Sequence, residues 1–139
     1  MRTRWNRRRA VVIAVGGAAG AAARWAVIAA VSVPGRMPWP VLTINVVGSL
    51  LLGIVLAEEW SHPRARLLLH DGAAIGFCGG LTTFSTFTLE VVNLARDGEV
   101  AIAVAYSALS VTLSIAGVIS GAALLRRVRA ITLPVEEEL

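Results

Sequence analysis

Apolar residues fill four long stretches of the chain, 10–33, 40–58, 63–96 and 100–125, separated by short polar or proline-rich interruptions. The first holds a single charge, Arg24. At 1.5 Å per residue it reaches about 36 Å, more than the ~30 Å hydrocarbon core of a bilayer, so the pattern predicts a tilted spanning helix. Gly16 and Gly20, with Ala19, Ala22 and Ala23, give it a small-residue face on which a second helix can pack closely. The turn Pro34-Gly35-Arg36-Met37-Pro38-Trp39-Pro40 stops this helix and starts the next, because proline suits a first helical turn, and Trp39 is placed as an interfacial anchor. The second stretch carries one strongly polar side chain, Asn45, and ends at Glu58-Glu59-Trp60-Ser61-His62-Pro63.

The third stretch is longer than a straight span needs. Within it lies Gly76 to Glu90, G-F-C-G-G-L-T-T-F-S-T-F-T-L-E. Adjacent glycines cost about 1 kcal/mol each in a helix interior, and the threonines that follow can cap a restarting helix. The pattern therefore predicts a helix broken at 79–83, at mid-membrane depth. Freed backbone groups at that depth persist only against protein or a polar cavity, so the break points to an ion site. The fourth stretch stops at Arg126-Arg127-Val128-Arg129.

With 56% hydrophobic residues and a mean hydropathy of +0.72, the chain is a membrane protein, a single four-helix domain over 10–126 with a basic segment 1–9 and a polar tail 127–139. The basic N-terminus before an apolar run imitates a secretory signal, but the run continues as Trp25 to Val33, and retention as the first helix fits better. All thirteen basic residues are arginine. Four spans put both termini on one side, which collects Arg2, Arg4, Arg7, Arg8, Arg9, Arg64, Arg66, Arg126, Arg127 and Arg129 against Arg36 and Arg96 opposite. That bias predicts cytoplasmic termini in the cell membrane and reports orientation rather than nucleic-acid binding. The lone Cys78 allows no internal disulfide.

No metal-ligand spacing and no Ser/His pairing is present, which argues against an enzyme. His62 and His70 read as surface or interfacial residues. After the break, Phe84 and Phe87 share one face of a helix, and Thr86, Glu90 and Asn93 fall within a second arc of about 60°. Such a phenylalanine pair usually packs against lipid or core, but ring edges beside hydroxyls can also line an anion path. Glu90 is expensive in a membrane and so a functional candidate, or an exit-zone charge reaching the interface. Asn45 offers two donors to an anion stripped of water. Arg24 either snorkels or faces an anion-collecting vestibule. In the fourth stretch Ser107, Ser110, Ser114, Gly117 and Gly121 form one seam, with Tyr106 beside it, serving packing as readily as chemistry. Donors and positive potential dominate this inventory, so the solute is expected to be an anion.

These residues resemble the CrcB, or Fluc, family of fluoride channels across all four helices. The match is strongest over Gly76 to Glu90, and is joined by Gly16-Gly17-x-x-Gly20-Ala21-x-x-Arg24 and by Asn45-x-x-Gly48-Ser49 with Gly53. Before Asn45 the chain has Pro40-Val41-Leu42 where the family often has Gly-Thr-Leu. The resemblance implies an all-α, dual-topology dimer of antiparallel four-helix subunits in membrane lipid, passively exporting fluoride through two interfacial pores. Phe84 and Phe87 would supply ring edges, Asn45, Thr83, Thr86, Tyr106, Ser110 and Ser114 the polar lining, and Arg24 the vestibule charge. The carbonyls of Gly79 and Thr82 from both subunits would hold one structural Na+. A multidrug-resistance-type exporter would need an acid deep in the first helix, where this chain has Arg24. A non-transporting scaffold would leave Asn45, Glu90 and the double glycine without purpose. Because the arginine bias favours one orientation, the antiparallel partner is expected to be, at least partly, an oppositely oriented paralogue rather than a second copy.

Overall fold

The computed structural model describes residues 7–31, 35–58, 60 and 62–132, the last without its side chain. The arginines at 2 and 4 and the acidic run Glu136 to Glu138 lie outside the described residues. Helix α1 is Arg7–Ala30 and α2 is Trp39–Leu56. Helix α3, residues 63–81, starts as a short α-turn Pro63–Ala65, widens into a π-helix over Arg66–Cys78 and closes with Gly79–Leu81. Helix α4 is Phe84–Arg96 and α5 is Val100–Thr132. Counting α3 and α4 as one interrupted segment, four helices are long and apolar enough to cross a membrane, which makes this a multi-pass membrane protein.

Glycine sets the spacing between helices. A Cβ on Gly16 would come within 2.2 Å of the Gly72 carbonyl oxygen, and one on Gly20 within 2.1 Å of that of Phe77. Across the contact, Gly72, Gly76 and Gly80 repeat every four residues, and a Cβ on Gly80 would sit 2.2 Å from the Gly17 oxygen. Helices α1 and α3 thus pack backbone against backbone, which lipid-embedded helices use in place of a hydrophobic driving force. The same device joins α2 to α5, where Gly53 meets Val118 and Gly121 meets Leu50. Gly20→Ala is accordingly expected to push α1 outward and cost about 1–3 kcal/mol. Gly17→Ala, whose Cβ would find only the Gly76 oxygen at 3.8 Å, is expected to be nearly neutral. Thermal melting of the two variants in detergent compares them directly.

The helix interruption falls within the 79–83 that the sequence predicts, but at its threonines rather than its glycines. Gly79 keeps helical dihedrals (φ −65°, ψ −32°), and Gly80 lies within the last helical turn. The extended residues are Thr82 (ψ 155°) and Thr83 (φ −149°, ψ 126°). Gly80 is required for close approach to α1, while Gly79 faces open space, and neither makes the break. Helix α5 also runs past Arg126, because arginine is a good helix former and Arg129 finds an ion-pair partner in Glu58 at the end of α2, 2.5 Å away. At the opposite end Gly98, with φ +81°, turns the chain from α4 to α5. Arg36 pairs there with Glu99 at 2.8 Å. The core beside that turn gathers Leu42, Leu94, Ala103 and the fully buried Tyr106, with Phe87 against it.

Candidate functional site

The site is built on the two extended threonines. Asn45, projecting from α2, accepts a hydrogen bond at Oδ1 from the Thr83 N–H (2.8 Å) and donates through Nδ2 to the Thr83 carbonyl (3.1 Å). Its amide serves Thr83 as a neighbouring strand would. In an unbroken α-helix the Thr83 N–H would go to the carbonyl of Gly79. Asn45 diverts it, and so releases the Gly79 carbonyl from the ladder. Thr83 then caps α4: its hydroxyl accepts from the Thr86 N–H at 3.1 Å and lies 3.1 Å from the Thr86 hydroxyl and 3.3 Å from that of Ser85. Thr82 bonds back to the Cys78 carbonyl at 2.8 Å, and its methyl enters the space left by Gly48. Arg24 reaches across from α1 to donate from Nη1 to the Thr82 carbonyl at 3.2 Å.

Beside this break lies an open groove of about 280 Å³, bordered by Asn45, Thr82, Thr83, Phe84, Phe87, Ser110 and Ser114. Two aromatic rings line it, Phe84 and Phe87, and a third, Tyr106, stacks behind Phe87. Phe84 and Phe87 have centroids 5.7 Å apart and Phe87 and Tyr106 5.3 Å apart, both pairs tilted. Tyr106 is buried among them and donates from its hydroxyl to Glu90 Oε2 at 2.5 Å, a short bond that ties α4 to α5. Ser110 is buried, and among the described residues its Oγ makes no hydrogen bond of standard geometry. Phe84 is 78% exposed, on the outer surface of the bundle.

The structure thus brings Asn45, Thr82, Thr83, Phe84, Phe87, Ser110 and Ser114 to one groove, with Thr86, Tyr106 and Arg24 one contact behind it and Glu90 behind Tyr106. The serine seam of the fourth stretch divides. Ser107 bonds back to the Ala103 carbonyl at 2.7 Å, and Gly117 and Gly121 pack on α2, whereas Ser110 and Ser114 face the groove.

Residues 11–122 match the family model described as CrcB-like protein, Camphor Resistance (CrcB). The chain belongs to the CrcB-like family. Among curated members, it is 39% identical over 123 residues to the protein of Mycobacterium bovis named fluoride-specific ion channel FluC 1, an alignment covering 88% of this chain and 93% of that one. It is 43% identical over 122 residues to the fluoride-specific ion channel FluC of Nitrobacter winogradskyi, covering 84% and 94%. With the FluC of Bordetella petrii it shares 40% over 106 residues, covering 76% and 82%.

Within this CrcB-like chain, one polar residue of note escapes a reading of the linear pattern. Asp71 lies inside the third span with its side chain only 6% exposed, and takes a two-pronged ion pair from Arg9, Nε to Oδ2 at 2.8 Å and Nη2 to Oδ1 at 2.9 Å. His70 Nδ1 is 2.9 Å from the same Oδ1. An acid buried within a span is by itself a signal. Among the described residues, no cluster of three or more His, Cys, Asp or Glu side chains could hold a metal ion.

Proposed function

We propose that this protein is a fluoride channel, not an enzyme, that lowers cytoplasmic fluoride by passive export. The observation that carries the reading is the groove: hydrogen-bond donors and tilted aromatic rings on an outward flank of a membrane protein whose relatives are named fluoride-specific channels. Fluoride is small and strongly hydrated, so a selective path must replace its water with several donors in a constriction too tight for chloride. The second N–H of Asn45 and the Ser110 hydroxyl can supply donors. The rims of Phe84 and Phe87, the positive part of the aromatic quadrupole, can supply the rest. An inside-negative potential assists exit by about 2.3 kcal/mol per charge per 100 mV.

A lone subunit leaves this path half walled. Gly79 is exposed with open space around its Cα, its carbonyl is released by Asn45, and Phe84 is exposed beside it. Such a surface does not suit hydrocarbon, since a freed carbonyl in lipid costs several kcal/mol. A second subunit in antiparallel orientation covers it and closes the groove into a pore. The carbonyls of Gly79 and Thr82 are ligands of the right type for a hard monovalent cation, and the matching pair from the partner would complete a structural Na+ site on the two-fold axis. That ion would join the two helix breaks. Arg24 takes one lone pair of the Thr82 oxygen and leaves a second for the cation. The arginine bias orients both termini of this chain to the cytoplasm and favours an oppositely oriented paralogue as partner.

Liposomes loaded with fluoride or chloride test these readings in one assay. The channel is expected to release fluoride far faster than chloride, and Phe84→Ile, which removes one ring edge, is expected to slow fluoride release at least roughly tenfold, equivalent to ~1.4 kcal/mol of barrier. Equal release of both halides would overturn the function. Release by this chain expressed alone would overturn an obligatory paralogue, and release only after co-expression with one would support it.

A further inference from the structure

The two ends of the bundle are chemically unlike. At the α2–α5 end, Arg64 and Arg66 open α3 while Arg126 and Arg127 lie near the end of α5, all four exposed. Two ion pairs hold this end in register, Arg9 with Asp71 between α1 and α3, and Arg129 with Glu58 between α5 and α2. At the other end Arg36 is neutralised by Glu99, and Arg96 is followed directly by Asp97.

Helix α5, with 33 residues, is about 50 Å long, so its last turns pass beyond a ~30 Å hydrocarbon core. Those turns are not uniformly polar. Leu124, Val128 and Ile131 share one face within an arc of about 60°, and are 53%, 50% and 85% exposed. Arg129, on the side turned to the bundle, is held by Glu58. Exposed aliphatic side chains interleaved with exposed guanidiniums suit the boundary between acyl chains and headgroups, where each finds its own medium. A nucleic acid or a soluble acidic protein would satisfy the arginines and leave Val128 and Ile131 in water.

We infer that this end of the bundle is a binding surface for anionic phospholipid headgroups, with Arg64, Arg66, Arg126 and Arg127 on the phosphates and Val128 and Ile131 among the upper acyl carbons. The site is independent of the anion path, which lies at the helix break. In the orientation that the arginine bias favours, the cytoplasmic leaflet faces this surface.

Trp60 is a local reporter, since it follows α2 at this end and its indole donates to the Val55 carbonyl at 3.1 Å. In the full chain with Trp5, Trp25 and Trp39 changed to Phe, Trp60 quenching by brominated phosphatidylglycerol is compared with quenching by brominated phosphatidylcholine in mixed bilayers. The anionic lipid is expected to be preferred roughly fivefold or more. Arg126→Gln/Arg127→Gln is expected to bring that preference near unity, while Arg36→Gln, at the opposite end, leaves it unchanged. High salt should erase the preference of the unsubstituted chain. Equal quenching by the two lipids, or a preference that survives loss of both arginines in a variant of normal helical circular dichroism and elution, overturns the inference. Loss of the preference on adding inorganic phosphate at constant ionic strength assigns the arginines to a soluble anion and overturns it as well.

Discussion

Replacing Asn45 by leucine is expected to lower fluoride efflux about 100-fold or more while leaving the four spans inserted. The side chain makes two hydrogen bonds to one residue, Thr83, which is only 7% exposed, so no bulk water replaces them. Each unsatisfied buried partner costs about 1–3 kcal/mol, and the sum of roughly 2–6 kcal/mol is available to drive the backbone elsewhere. The nearest refuge is the helix itself, in which the Thr83 N–H returns to the Gly79 carbonyl. An extended residue rises about 3.3 Å and a helical one 1.5 Å, so winding Thr82 and Thr83 into helix shortens and rotates the approach to α4. Phe84 and Phe87 then leave their stack with Tyr106, and the Gly79 carbonyl is taken back into the helix. Asn45→Asp separates the roles. It keeps the acceptor for the Thr83 N–H but sets a carboxylate against the Thr83 carbonyl and beside the anion path, so it is expected to lose fluoride efflux as well. Efflux of the leucine variant at the parent rate would show that the break stands without Asn45, and a Thr83 N–H that stays protected from hydrogen exchange in a variant that has lost efflux is the structural companion measurement.

The contrast between the spans and the break shows what kind of information a sequence carries. The spans are legible because the bilayer imposes one rule on every residue within it, and about twenty consecutive apolar side chains suit hydrocarbon and little else. The break is legible only in outline. Gly79 and Gly80 mark its neighbourhood, but the need for glycine is at Gly80 and arises from Gly17 on α1, a contact between helices. The four-residue repeat of Gly72, Gly76 and Gly80, matching that of Gly16 and Gly20, is the sequence signal for that role. Of the extended threonines, Thr83 is bonded by Asn45, 38 residues earlier, and the π-helical stretch carries Gly72 and Gly76 against α1, so both involve contacts that local propensity does not contain. Arg24 makes a contact that neither sequence expectation, a snorkelling charge or a vestibule charge, contains: its guanidinium donates to the Thr82 carbonyl. Glu90 does have a local clue, because an acid in a span calls for a donor, and Tyr106 in the next helix provides it.

Asp71 yields the last prediction, in which the two partners of one ion pair are expected to behave unequally. Arg9 is 49% exposed and Asp71 6% exposed at the side chain. Removing the acid frees an arginine that already reaches water, so Asp71→Asn is expected to cost only about 1 kcal/mol, the scale of an exposed pair. Removing the arginine strands a buried carboxylate with His70 as its remaining polar neighbour, and Arg9→Met is expected to cost about 3 kcal/mol, the lower end of the range for a broken buried pair because half of this one is solvated. The double variant, with no charge left to bury, is expected to recover most of the loss and melt close to Asp71→Asn alone. Thermal melting of the three variants closes a double-mutant cycle, and a coupling of the opposite kind, with Asp71→Asn the more damaging single change, would mean that the pair draws its stability from Arg9 rather than from the burial of Asp71. The distinction bears on the channel because α1 carries Arg9 at one end and Arg24 at the other. The bond that seats α1 against α3 at Asp71 also fixes how far along α3 Arg24 can reach, and so whether it meets the Thr82 carbonyl at the break.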